Sequence, residues 1–118
     1  MTDSAYTGVL ANLPVHDVAA AGPWYERLFG RPPDRNPMPG LLEWQLTAGG
    51  GLQVAQSDGA RTGTATLTVD DLDALVADLR SRDVEVETPT TGTGARFVQL
   101  SDPAGNTIVL AEAPPDGS

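Results

Sequence analysis

The side chains best suited to chemistry lie in one short stretch, Leu41 to Gln56, which reads LLEWQLTAGGGLQVAQ. Strand alternation puts Glu43, Gln45 and Gln53 on one face, and Leu42, Trp44, Leu46, Leu52 and Val54 on the other. The apolar set must meet a helix. The polar set is therefore expected to face a cavity, joined by Asn12, Thr64, Thr66, Phe97 and Gln99. Glu43 is the candidate acid-base residue: buried among amides, its carboxyl would rise toward neutrality, which is what a general base needs. A lone carboxylate has no partner or electrophile to complete a reaction, and an ordinary position on the rim competes with that reading. The glutamines either satisfy one another inside a filled barrel or orient a polar small molecule. Trp44 reads as core, with a stacking platform for a ligand as the alternative if the sheet register reverses its face. The candidate ligand-binding set is then Asn12, Trp44, Gln45, Gln53, Thr64, Thr66, Phe97 and Gln99, with Glu43 as candidate catalytic residue.

Composition removes several other chemistries. The 118 residues contain no cysteine and no lysine, which excludes disulfides, thiolate metal sites, cysteine nucleophiles and Schiff-base formation. The single histidine, His16, falls at a strand-to-helix corner and provides no ligand cluster, so it reads as a surface residue. A formal net charge of -9 repels phosphate backbones and anionic membranes, leaving no nucleic acid and no membrane as expected partners. That charge serves solubility or, alternatively, an acidic pocket for a cationic ligand. No apolar run approaches the roughly 18 residues of a spanning helix, and no leader pattern opens the chain, so a cytoplasmic protein is expected.

The elements that must position these residues come from a duplication. Leu13-Pro14-Val15-His16-Asp17-Val18 matches Leu67-Thr68-Val69-Asp70-Asp71-Leu72 at an offset of 54, and Gln45-Leu46-Thr47 matches Gln99-Leu100-Ser101 at the same offset. The chain thus reads as a single domain of two modules, about residues 7 to 56 and 61 to 113, joined at SDGARTG. Each begins with an alternating strand, TGVLANLPV or TATLTV. In the second module Asp71 caps a helix carrying Leu72, Leu75, Val76 and Leu79, which Asp83 ends in a left-handed conformation. In the first, Pro23 predicts a kink or a helix that starts near Gly22, stopped by Gly30. RPPDRNPMPG then predicts a short, edge-like or missing strand, whereas VEVET in the second module reads as a better one. Two antiparallel strands close each module. Trp24 reads as packing or a dimer contact. Asp102-Pro103-Ala104-Gly105-Asn106 reads as turn architecture. Arg96 reads as a neighbour of the apolar face or as a rim cation that pairs with an acid or a ligand carboxylate. The tails, Met1 to Ala5 and Pro114 to Ser118, are expected to be disordered.

This order, together with WYERLFG, VDDLDALVADLRSRDV and above all DPAGNTIVL, resembles the vicinal oxygen chelate superfamily, which includes glyoxalase I, extradiol dioxygenases and bleomycin resistance proteins. The resemblance covers nearly the whole chain. It implies an α+β fold of tandem βαβββ modules, whose curled mixed sheets form a cup with a concave cavity and helices outside. Catalytic members hold a divalent metal at four places, which here fall near Leu10, Gln53, Thr64 and Val109. Aliphatic carbons donate no lone pair, and one amide with one hydroxyl is too weak a set, so no metal and no cofactor are expected.

Three functions follow as expectations. The first is a metal-independent small-molecule binding protein, similar to bleomycin resistance proteins that sequester a drug. The second is a metal-independent isomerase or lyase using Glu43. The third is a dimeric structural or interaction protein with a filled cup. The resemblance also implies a homodimer, with the cup completed within one chain or between two.

Overall fold

The computed structural model describes residues 5–59, 61–92 and 95–112. Strand β1 (Val9–Val15) leads into helix α1 (Val18–Phe29), followed by β2 (Arg35–Met38), β3 (Leu41–Thr47) and β4 (Gly50–Gln56). The second half repeats this order with β5 (Thr64–Val69), α2 (Leu72–Ser81), β6 (Thr90–Gly92), β7 (Ala95–Ser101) and β8 (Thr107–Glu112). The strands form two four-stranded sheets, ordered β1-β4-β3-β2 and β5-β8-β7-β6, and neither closes on itself. In each, the first and last strands of the half pair in parallel and the remaining pairs are antiparallel. The fold is the expected α+β pair of βαβββ units. Of the two tails expected to be disordered, all but Ala5 lies outside the described residues.

Alternation decides which face packs. Leu13, Val15, Trp44, Leu52 and Val54 point toward α1 and are buried, as are Val98, Leu100, Ile108 and Leu110 on the corresponding side of the second sheet. Burying each such side chain contributes about 2 kcal/mol. Around Trp44 the rings of Tyr25 and Phe29 gather at centroid distances of 5.9 and 5.4 Å, and Trp24 meets Tyr25 edge-on at 4.8 Å.

Two expectations need correction. Helix α1 does not start near Gly22 but runs from Val18 through Pro23, because its first turn is capped twice: Asp17 accepts from the Ala19 N–H and Gln56 Oε1 from the Val18 N–H. The aromatic stripe beyond Pro23 anchors the rest, and Gly30 ends the helix at φ 75°. The VEVET strand does not form. Val84 is buried and the Val86 carbonyl accepts two hydrogen bonds from the Arg80 guanidinium, so this stretch is tied back to α2, and β6 forms only at Thr90–Gly92. By contrast, Asp71 caps α2 through the Ala74 N–H, and Asp83 follows the helix at φ 64°, both as expected.

The halves are joined by a buried polar knot. Asp102 accepts from the Tyr25 hydroxyl at 2.6 Å and from the backbone N–H groups of Ala104 and Asn106. The Asn106 amide donates to Asp102 and to the Pro14 carbonyl, and its oxygen accepts from Gly63 N–H at 2.7 Å. DPAGN is therefore architecture, as its residue types suggest, but architecture that clamps one half onto the other.

Burial first, then the hydrogen bond to Asp102 and its charge, hold the Tyr25 phenol far above its ordinary range. The folded chain thus keeps this proton at pH values where the unfolded chain, titrating near pH 10, has lost it. Stability is fully present below about pH 10 and falls as pH rises beyond it, by about 1.4 kcal/mol per unit for this group. Tyr25→Phe is expected to cost about 1–3 kcal/mol near neutrality and to flatten the alkaline fall. Urea unfolding at about pH 8 and about pH 11 checks this; equal slopes in both proteins would contradict it.

Candidate functional site

The face of the first sheet opposite α1 carries a polar row running across all four strands. Register places Asn12 beside Gln53, Gln53 beside Glu43 and Glu43 beside Arg35. The side chains are linked in the same order. Asn12 Nδ2 donates to Gln53 Oε1 at 3.1 Å, Gln53 Nε2 donates to Glu43 Oε1 at 3.0 Å, and an Arg35 guanidinium nitrogen lies 3.5 Å from Glu43 Oε2. Asn12 is exposed, Gln53 half-buried and Glu43 only 3% exposed. Burial excludes the rim position for Glu43. Its carboxyl group sits at the floor of the face, with a donor at each oxygen, so its polar atoms are partnered despite burial.

Beside this row β2 is irregular, and two contacts hold it. Asp34 accepts from the backbone N–H of Gln45 at 2.7 Å and pairs with Arg31 at 2.9 Å. The hydrogen bond from Arg31 and then that from Gln45 hold the Asp34 carboxyl below the usual carboxylate range. Arg31 also donates to the Gln45 carbonyl, and the Arg31 carbonyl accepts from Trp44 Nε1 at 3.0 Å. The proline-rich segment is thereby fastened to β3, which brings Arg35 over Glu43. Close packing continues at Gly51, where a Cβ would collide with the Trp44 carbonyl oxygen.

The other sequence-derived candidates divide. Asn12, Gln45, Gln53 and Glu43 share the open face of the first sheet, and Gln45 is exposed with its amide donating to the Thr47 carbonyl. On the second sheet Thr64, Thr66, Phe97 and Gln99 alternate away from the buried residues, with Thr66, Val109 and Gln99 in one register row. Trp44 lies off this face: it is fully buried on the α1 side, and its indole N–H donates to the Arg31 carbonyl. Arg96 pairs with Asp73 through two hydrogen bonds of 2.9 and 3.1 Å and approaches Glu112 at 3.8 Å, so its charge is taken by acids. That hydrogen-bonded pair also holds the Asp73 carboxyl below its ordinary range. His16 is exposed. Arg35 was missed by sequence reasoning, because a four-residue strand between prolines has no readable alternation.

Register also gives the neighbours of the places where the family resemblance implies metal ligands. Leu10 faces Gly51 and Thr64 faces Thr107, so the side chains beside Gln53 and Val109 are Asn12 and Thr66. Two amides, a hydroxyl and an isopropyl group do not fit a divalent transition metal. Among the described residues no group of three His, Cys, Asp or Glu side chains is placed to hold one.

Comparison with known proteins agrees with this architecture. The family model described as Glyoxalase/Bleomycin resistance protein/Dioxygenase superfamily matches residues 8–110. A glyoxalase/bleomycin resistance protein from Catenulispora acidiphila is 34% identical, with a TM-score of 0.83 over 91% of this chain and 98% of that one. A lactoylglutathione lyase from Agrobacterium tumefaciens, 20% identical, superposes with a TM-score of 0.72 over 88% and 91% of the two chains. The oxidase ChaP-H2, 16% identical, reaches 0.74 over 98% and 100%. The last two likenesses are of fold alone. No curated protein sequence gives a significant match.

If the row is one connected unit, its members are energetically coupled. Gln53→Ala and Glu43→Gln, alone and together, are expected to show a coupling of about 1 kcal/mol in urea unfolding. Strict additivity would show that the Gln53–Glu43 contact contributes nothing.

Proposed function

The chain belongs to the Glyoxalase/Bleomycin resistance protein/Dioxygenase superfamily, and on that premise we propose that it binds a small polar molecule on the open face of its first sheet without a metal ion. The observation that carries this reading is the hydrogen-bonded row from Asn12 to Arg35, sunk to the floor at Glu43 and exposed at Asn12. Such a row offers fixed amide donors and acceptors in a definite order, which is how binding sites select polar ligands. The family's metal-dependent chemistry needs imidazole or carboxylate ligands, and the positions that would supply them carry amides, a hydroxyl and an aliphatic group.

The alternative isomerase or lyase requires Glu43 to take a proton from substrate. Gln53 donates to one Glu43 oxygen and Arg35 faces the other, which suits an anchoring carboxylate better than a free base. The net charge of -9 favours a cationic ligand over an anionic one at this face. In this reading the protein acts in the cytoplasm as a homodimer, with a second copy roofing the open face.

The test is tryptophan fluorescence titrated with a cationic glycopeptide antibiotic such as bleomycin and with a panel of aromatic antibiotics. One class is expected to give a saturable response and to be recovered unchanged, with affinity reduced about tenfold in Gln53→Ala by loss of one good hydrogen bond. A response indifferent to Gln53→Ala, or turnover abolished by Glu43→Gln, would contradict the proposal.

A further inference from the structure

A second concavity lies away from the polar row, between the two halves of the chain. It encloses about 470 Å³ where the edge strands β1 and β5 approach the C-terminal ends of α1 and α2. Its walls are apolar: Phe29 and Leu46 come from the first half, and Leu67, Val69 and Leu75 from the second. All five are only partly buried, although each packs against the core. The halves therefore leave side chains that their periodicity assigns to the interior standing around an open space. Ligand pockets of small proteins have this size and this apolar lining.

One charged side chain lines this cleft, Arg82, just beyond α2. Its guanidinium crosses to the other half, where Nε donates to the Arg27 carbonyl at 2.6 Å and a terminal nitrogen to the Leu28 carbonyl at 3.2 Å. Those acceptors are neutral, and no carboxylate among the described residues forms an ion pair with Arg82. Its positive charge is thus fixed in place and formally uncompensated. On its far side a second groove brings Arg27 and Arg31 to the same end of the molecule, together with Glu26 and Asp83. Three of the seven arginines of an acidic chain meet here. Of these, Arg31 is paired with Asp34.

We propose that this cleft is a binding site for a small amphipathic carboxylate, whose apolar body fills the space between the halves and whose head group is received by Arg82. An alcohol of the same length would gain the apolar contacts but not the ion pair or the two parallel hydrogen bonds a carboxylate makes with a guanidinium. A cation would meet Arg82 with like charge. The site is separate from the polar row in position and in ligand chemistry, so either can fail without the other.

Isothermal titration calorimetry of the full chain with decanoate and with decanol tests the proposal. Decanoate is expected to bind saturably, one per chain, and more tightly than decanol. Arg82→Gln keeps one donor for the α1 carbonyls and should weaken decanoate about tenfold while leaving decanol nearly unchanged. Ala11→Phe, which adds a ring to the β1 wall of the cleft, should abolish both. Gln53→Ala, in the polar row, should leave both intact. Absence of saturable decanoate binding overturns the proposal, as does binding that survives Ala11→Phe or disappears with Gln53→Ala. If native mass spectrometry finds a dimer that Ala11→Phe dissociates while decanoate does not bind, the cleft is covered by a second copy and the proposal is likewise wrong.

Discussion

The hydrogen bond between the Tyr25 hydroxyl and Asp102 is the contact on which the arrangement of the molecule rests. Tyr25 belongs to the helix of the first half and Asp102 to the last turn of the second, 77 positions along the chain. Around them every buried donor has an acceptor: Asp102 serves its own turn, and Asn106 reaches the end of β1 and the start of β5. Such a network is costly when half made and rigid when complete. Among the described residues it is complete, with no buried side-chain polar atom left without a partner. It spans both halves, tying α1 and the end of β1 to the turn between β7 and β8.

The open face of the first sheet depends on this frame only indirectly. Its row of polar groups follows from local strand geometry: parallel pairing of β1 with β4 and antiparallel pairing of β4 with β3 bring Asn12, Gln53 and Glu43 abreast. Members of the same superfamily use equivalent strands to present metal ligands, as the family resemblance implies. Here two of those places, Asn12 and Gln53, bond to each other, and Gln53 bonds on to Glu43. A fold that hosts lyases, oxidases and resistance proteins supports such replacement, because the sheets persist while the side chains on one face change.

Much of this was legible in the chain itself. The duplication exposed two units, and strand alternation alone separated Glu43 and Gln53 from Trp44 and Leu52. Caps at Asp71 and Asp17 were readable because a side-chain oxygen before an apolar stripe has one common use. What escaped had nonlocal causes. Val84 and Val86 have strand-like residues around them, yet Arg80 from the preceding helix holds the Val86 carbonyl and the buried Val84 fixes the path, so local propensity loses to tertiary contact. Asp102 and Asn106 are turn formers by type, which conceals that their side chains also bind the other half. Arg35 lies among prolines, and only the pairing of a short edge strand places it at Glu43. Likewise, the cleft is a property of how two halves sit together, and no spacing within either half encodes it.

In the proposed reading, a connected row of amides and a carboxylate occupies the face where the superfamily resemblance implies a metal in catalytic members. Native mass spectrometry of the purified protein, with elemental analysis of the same sample, tests it most directly. The expected result is a chain, or a dimer, whose mass matches the polypeptide alone and which retains no divalent metal after exposure to zinc, nickel, manganese or iron and subsequent desalting. One tightly held divalent ion per chain would contradict it and return the protein to the metal-dependent chemistry of the superfamily.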